Sequence, residues 1–313
     1  MNDLIFSLNA TIPIFLIILL GYLLRKVGLF TEKFIPDADR FNFRVTLPIL
    51  LFVDIATADI TSRFDWKFVV FCMGTTTISF LLIWGAARLL LRKKEMVGAF
   101  TMSSFRGSAA VLGIAFVTNI YGEAGLAPLM IVAVVPLYNI FSVIVLSLGS
   151  EEPGSKVSYG KVLKGIVTNP LILAIFLAFP FAAFSVRIPH ILLQSLESMG
   201  SIATPLALLL LGASFRGDQV RGKLGPALGA TFIKLVLLPG TVVLAAVLCG
   251  FRGAALVAIA VMMASPTTVA CYTMAKNMKN DADLTSEIVM LTTLFSSVTL
   301  TLLIYILKAL NYI

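Results

Sequence analysis

The chain has 313 residues, of which 59% are hydrophobic and 13% charged, and its mean hydropathy is +1.00. A soluble domain carries about twice that share of charge, so the composition excludes one and requires a chain integral to a membrane. The net charge of +8 lies mostly in the short segments between apolar runs, which is a loop bias rather than a basic face and excludes a nucleic-acid partner.

At about 20 apolar residues per crossing, the sequence predicts spans at 5–24, 37–58, 67–91, 96–120, 124–149, 161–186, 197–215, 223–249, 253–277 and 285–310. The expected fold is all-α and integral to the membrane, with ten transmembrane helices. Met1-Asn2-Asp3 ahead of span one lacks the basic region and cleavage site of a signal peptide, so span one is expected to stay in place. Span two has a short apolar run with Pro48. Span four is weakened halfway by Phe105-Arg106-Gly107-Ser108 and Gly113 and carries Asn119 near its end, and span five holds Pro136-Leu137-Tyr138-Asn139. A polar linker at 150–160 precedes span six with its Thr168-Asn169-Pro170. Span seven has Thr204-Pro205, span eight has Lys234, and span nine has Ser265-Pro266-Thr267-Thr268 followed by Tyr272.

Thr11-x-Pro13 recurs as Thr168-x-Pro170, and Leu47-Pro48 aligns with Thr204-Pro205, both at an offset of 157 residues. A chain that uses one unit twice is the hallmark of many carriers, with the substrate between the halves. On this reading 1–149 and 161–313 are the two five-helix repeats and 150–160 joins them. Of the 24 Lys and Arg, 17 fall in loops after odd-numbered spans and five on the other side with the termini; Arg106 and Lys234 lie inside spans. The positive-inside rule then places the odd loops in the cytoplasm and both termini outside. Five spans per repeat is an odd number, so the second repeat is inverted relative to the first.

Spans two and seven are short and carry Pro48 and Pro205, while spans four and nine are interrupted at mid-membrane. Matched irregular spans point to a transport site, because a broken helix leaves backbone donors and acceptors that need protein, water or ligand partners. The N-terminal ends of half-helices favour anions. Candidate substrate-binding residues are therefore Arg106, Gly107, Ser108, Gly113, Asn139, Ser265, Pro266, Thr267 and Thr268. An Arg in the membrane faces a cavity or a partner by default, and Arg106 is assigned the carboxylate. Lys234, in a span without a break, is expected to brace another element or to snorkel. It joins Asn119, Tyr138, Tyr272, Pro48 and Pro205 as an outer set. Gly225-x-x-x-Gly229 and Ala254-x-x-x-Ala258 are read as helix packing.

Cys72, Cys249 and Cys271 lack metal-ligand spacing, a lone His190 builds neither a metal site nor a triad, and Gly-x-Ser-x-Gly, His-Glu-x-x-His and Walker A patterns are missing. No enzyme, metal or cofactor is expected. No carboxylate is read at mid-span, which argues against a cation antiporter.

Phe105-Arg106-Gly107-Ser108-Ala109-Ala110-Val111-Leu112-Gly113-Ile114-Ala115 before Tyr121-Gly122, with Ala264-Ser265-Pro266-Thr267-Thr268-Val269-Ala270 before Lys276-Asn277, resembles the auxin efflux carrier family over the whole chain. The resemblance implies spans four and nine crossing at their breaks, and a scaffold of spans one, two, six and seven with the rest moving as an elevator. It also implies a homodimer through spans two and seven. Ser108 and Ala115 stand where the family usually has Asn and the crossing proline, so the break in span four relies on Gly107 and Gly113. The expected function is secondary transport of a small organic anion, a mono- or dicarboxylate or auxin-like molecule, across a bacterial inner membrane. The alternatives are a Na⁺- or H⁺-coupled symporter of the bile-acid-carrier type and a non-transporting membrane sensor.

Overall fold

The computed structural model describes residues 2–57, 64–91, 93, 95–108, 117–118, 120–122, 125–149, 159–184, 186–214 and 223–313. The described elements are all helical: α1 (Asn2–Lys26), α2 (Phe34–Phe41), α3 (Leu47–Ala56), α4 (Trp66–Leu90), α5 (Glu95–Phe105), α6 (Ala127–Gly149), α7 (Tyr159–Val167), α8 (Pro170–Ala183), α9 (His190–Ser201), α10 (Ala203–Ser214), α11 (Leu224–Phe232), α12 (Leu238–Leu248), α13 (Gly253–Ala264), α14 (Ala270–Asn277) and α15 (Ala282–Ala309). Five segments are long and apolar enough to cross a membrane: Trp66–Leu90, Ala127–Gly149, His190–Ser214, Leu224–Leu248 and Ala282–Ala309. Their outward faces are apolar, as at Leu82, Leu244 and Val298, which suits hydrocarbon and not water. The chain is an integral membrane protein.

Local chemistry sets the helix ends. Asp65 caps α4 by accepting from Phe68 N at 3.0 Å, Asn169 caps α8 by accepting from Leu171 N at 3.0 Å, and Asp281 caps α15 by accepting from Leu284 N at 3.0 Å. Pro170 follows Asn169 at the first helical position, where a missing N–H costs nothing. The repeated Thr-x-Pro therefore acts differently in the two halves: α1 runs straight through Pro13, whereas α7 and α8 separate at Thr168-Asn169.

Two π turns replace expected features. Asn42–Thr46 links α2 to α3 and Ile233–Leu237 links α11 to α12, with Leu47 N donating to Asn42 O and Leu238 N to Ile233 O. Each stands just before a proline, Pro48 and Pro239, which cannot donate to the carbonyl four residues earlier and crowds it, so the chain widens by one residue. Span eight, read as unbroken, is thus irregular, while its counterpart α4 is regular. Each π turn turns a polar residue into the interior. Buried Asn42 donates to Ala203 O at 3.2 Å and buried Lys234 donates to Met263 O at 2.8 Å.

The helices pack in groups. α1 lies along α10 and also against α15, and α3 lies along α8 and α9. The first pair meets backbone to backbone: a Cβ on Gly21 would run into Leu209 O, and one on Gly212 into Ile18 O. Gly225 and Gly229 have nothing within 4 Å of such a Cβ, so their small-residue spacing does not mark a helix contact within the chain. α4, α5 and α6 pack on one another, while α11 and α13 pack on α15 and α12 packs on α13. α5 then meets α11 and α15, and joins the two groups of three and four into one core.

Candidate functional site

From Met96 to Phe105 every residue of α5 is buried, and the helix stops where the next residues leave helical geometry. Arg106 N still donates to Met102 O at 3.1 Å, but Ser108 N donates across the molecule to Pro266 O at 2.9 Å. On the other side α13 ends because Ser265 is extended (φ −61°, ψ 145°) and Pro266 has no N–H. The exposed backbone of span nine is then satisfied from span four and α15. Thr267 Oγ1 donates to Ser103 O at 2.7 Å, and Thr267 N donates to Thr292 Oγ1 at 3.1 Å. The two breaks thus hold each other together.

Arg106 is buried, with Nη1 donating to Met274 Sδ at 2.9 Å and lying 3.5 Å from Ser142 Oγ. Neither partner is anionic. Among the described residues no carboxylate lies within 4.0 Å of Arg106 or of Lys234, the second buried cation here. An intramembrane cation costs about 2.5–3.5 kcal/mol on insertion scales and by default faces a cavity or a partner inside the protein. Among the described residues, Thr101 Oγ1 and Ser103 Oγ of α5, Tyr138 Oη of α6 and Thr273 Oγ1 of α14 are buried without a hydrogen-bond partner, which is uncommon for buried polar groups.

Arg106, Gly107, Ser108, Ser265, Pro266 and Thr267 are brought together, in line with the crossing that the resemblance implies. Thr268 accepts from Cys271 N at 3.0 Å and opens α14. Tyr138 joins the crossing, with its ring edge-on to Phe105 at 5.6 Å between centroids. Asn139, one residue on, donates to Val135 O at 2.9 Å in its own helix, so that N–H does not reach the crossing. Gly113 and Asn119 lie outside the described residues. Pro48 and Pro205 sit in the first turns of α3 and α10.

Lys234 braces another element, donating to Met263 O of α13 at 2.8 Å, and does not snorkel: it is fully buried at the crossing, where a Cβ on Gly107 would lie 2.8 Å from its Nζ and would overlap Ser265 Oγ. Tyr272 belongs elsewhere. Its hydroxyl accepts from Lys276 Nζ at 3.0 Å, and Lys276 pairs with buried Asp39, tying α14 to α2. The sequence reading passed over Asp39, although an acid between Ala38 and a helical Arg40 on an amphipathic turn was the available signal. A cleft of about 500 Å³ lies apart from the crossing, between the first π turn (Phe43, Arg44), Ser147 of α6 and the capped start of α8 at Thr168–Pro170.

The chain is similar to known membrane transporters over nearly its whole length. A relative from Rhizobium meliloti (strain 1021) named "Putative malonate transporter" is 27% identical over 319 residues, covering 96% of each chain. One from Methanothermobacter thermautotrophicus named "Uncharacterized transporter" is 23% identical over 298 residues, covering 95% of this chain and 97% of the relative. The family model described as Membrane transport protein matches residues 6–304, and the chain belongs to that auxin-efflux-carrier-like family of membrane transporters.

Proposed function

We propose that the chain is a secondary carrier that moves a small organic anion, a mono- or dicarboxylate of malonate or auxin kind, by elevator-type alternating access. The observation that carries this reading is the 2.9 Å bond from Ser108 N to Pro266 O, which joins two helix breaks beside the buried, anion-free Arg106. Carriers hold their cargo at such discontinuous helices. The name of the Rhizobium relative favours a carboxylate.

In this reading the ten spans form two inverted five-helix repeats, 1–149 and 161–313, joined by 150–160. Two kinds of observation support it. Under the 157-residue offset, the pairs α1 with α10 and α8 with α3 are one and the same contact. Loop ends assigned to one side also meet their own kind: Arg25 Nη1 donates to Ala213 O at 2.7 Å, and Lys223 Nζ pairs with Asp281 at 2.6 Å. On the opposite side Lys67 Nζ donates to Cys249 O at 2.7 Å and Gly253 N to Tyr312 O at 2.9 Å. The charge bias puts the first group in the cytoplasm, with both termini outside an inner membrane. Spans one, two, six and seven form the scaffold, and a second copy docks through spans two and seven.

Counterflow of labelled malonate into malonate-loaded proteoliposomes tests the function. Accumulation above that of empty vesicles is expected; equal traces, with succinate, acetate and indole acetate also silent, would reject an organic-anion carrier.

A further inference from the structure

α13 is cut short at Ala264, so its last carbonyls lose their helical donors. Three of them can be followed. Val261 O still accepts from Ser265 N at 2.9 Å. Met262 O would have accepted from residue 266, a proline without an N–H, and takes Ser265 Oγ at 3.2 Å instead. Met263 O would have accepted from Thr267 N, but that group donates to Thr292 Oγ1, and Lys234 Nζ fills the place at 2.8 Å. The negative end of a half-helix therefore carries an ammonium group from a different helix.

Several features make this a built arrangement. Lys234 is fully buried, and the π turn that aims it inward is enforced by Pro239. Its Nζ also lies against Gly107, which has room for it because it lacks a side chain. The ammonium thus touches both breaks at once. In carriers with discontinuous helices, the C-terminal ends of half-helices and unwound carbonyls are where a coupling Na⁺ binds. Here the same kind of carbonyl donor is held by a charge covalently tied to the chain.

We propose that Lys234 is the resident cation of the crossing: its ammonium occupies the cation position at the end of α13 that a diffusible alkali ion would otherwise fill. The cation beside the crossing then belongs to the chain and is not an ion bound and released in each cycle. The transport part of this inference rests on the carrier reading above, whereas the occupancy of the position does not.

The test uses the purified full chain in detergent and reads the melting temperature in NaCl, LiCl, KCl, choline chloride and ethylammonium chloride at equal ionic strength. Wild type is expected to give one Tm in all five. Lys234→Ala, which leaves a hole lined by carbonyls, is expected to melt about 5 °C lower or more in choline and to regain part of that loss in Na⁺ or ethylammonium. Lys234→Met fills the volume without the charge and is expected to melt low in every salt. A wild-type Tm that rises saturably with Na⁺ would overturn the proposal, because the position would then be open to diffusible ions. So would a Lys234→Met protein as stable as wild type, or a Lys234→Ala protein that answers to no cation. If neither variant folds, the wild-type series decides. Malonate counterflow in parallel separates the two readings: silent wild-type vesicles with an intact cation response in the melts would reject the carrier and leave the resident cation standing.

Discussion

Ser108 N donates to Pro266 O at 2.9 Å, a backbone bond between residues 158 positions apart at the point where two interrupted helices meet. Neither break would be tolerable alone in hydrocarbon, since each leaves polar backbone that must be paired within protein or lining a cavity. Pairing them to one another leaves Arg106 and Lys234 as buried cations with no carboxylate within 4.0 Å among the described residues.

Arg106→Gln is expected to lower malonate transport at subsaturating substrate by about 10- to 100-fold, the loss typical of a hydrogen bond to a charged group. Arg106→Lys keeps the charge without the planar fork and is expected to fall between. Counterflow rates over a range of malonate concentrations measure both, and wild-type values in the Gln variant would remove Arg106 from the site.

Gly107→Ala places a methyl group against Ser265 Oγ and within 3.1 Å of Met262 O. Overpacking of this kind costs about 1–3 kcal/mol, visible as a lower Tm. Adding Ser265→Ala removes the overlapping hydroxyl, so the double variant is expected to recover part of the loss; purely additive losses would deny the contact.

The α1–α10 seam gives a sharper packing test. Gly21→Ala and Gly212→Ala each drive a methyl group into a backbone carbonyl, of Leu209 and of Ile18, and are expected to be severely destabilising. Gly225→Ala meets nothing within 4 Å and is expected to stay within about 0.5 kcal/mol of wild type. Thermal unfolding of the three ranks them.

Asp39 has a side chain 2% exposed and pairs with Lys276, whose Nζ also lies 3.3 Å from Ser214 Oγ. Removing one charge of a buried pair costs about 3 kcal/mol or more because the other is left uncompensated. Asp39→Asn is accordingly expected to destabilise more than the Asp39→Asn/Lys276→Gln double variant, and a double-mutant cycle in Tm checks the sign.

The breaks in spans four and nine were legible in the sequence because their causes are local: Pro266 removes a donor, and Gly107 with Ser108 weakens a helix wherever it is placed. Lys234 was not legible as part of the site, since its position depends on a π turn set by Pro239 five residues later and on the carbonyl that α13 leaves free. The glycine contacts were misjudged for a related reason. Spacing alone marks Gly225 and Gly229, but a close approach needs a partner helix, and such a partner stands at Gly21 and Gly212 and not at these two. Asn139 looked like a cavity amide after Pro136, yet its own helix offered it the nearer carbonyl of Val135.

The central claim, that an organic anion is held where Ser108 meets Pro266 and is carried from there, is tested most directly by a single cysteine. In a chain with Cys72, Cys249 and Cys271 replaced, Ser108→Cys is treated with an anionic methanethiosulfonate in proteoliposomes, with and without malonate, and counterflow is then measured. The account predicts that modification abolishes counterflow and that malonate slows the modification several-fold. Modification at the same rate with and without malonate, or a fully modified protein that still transports, would contradict it.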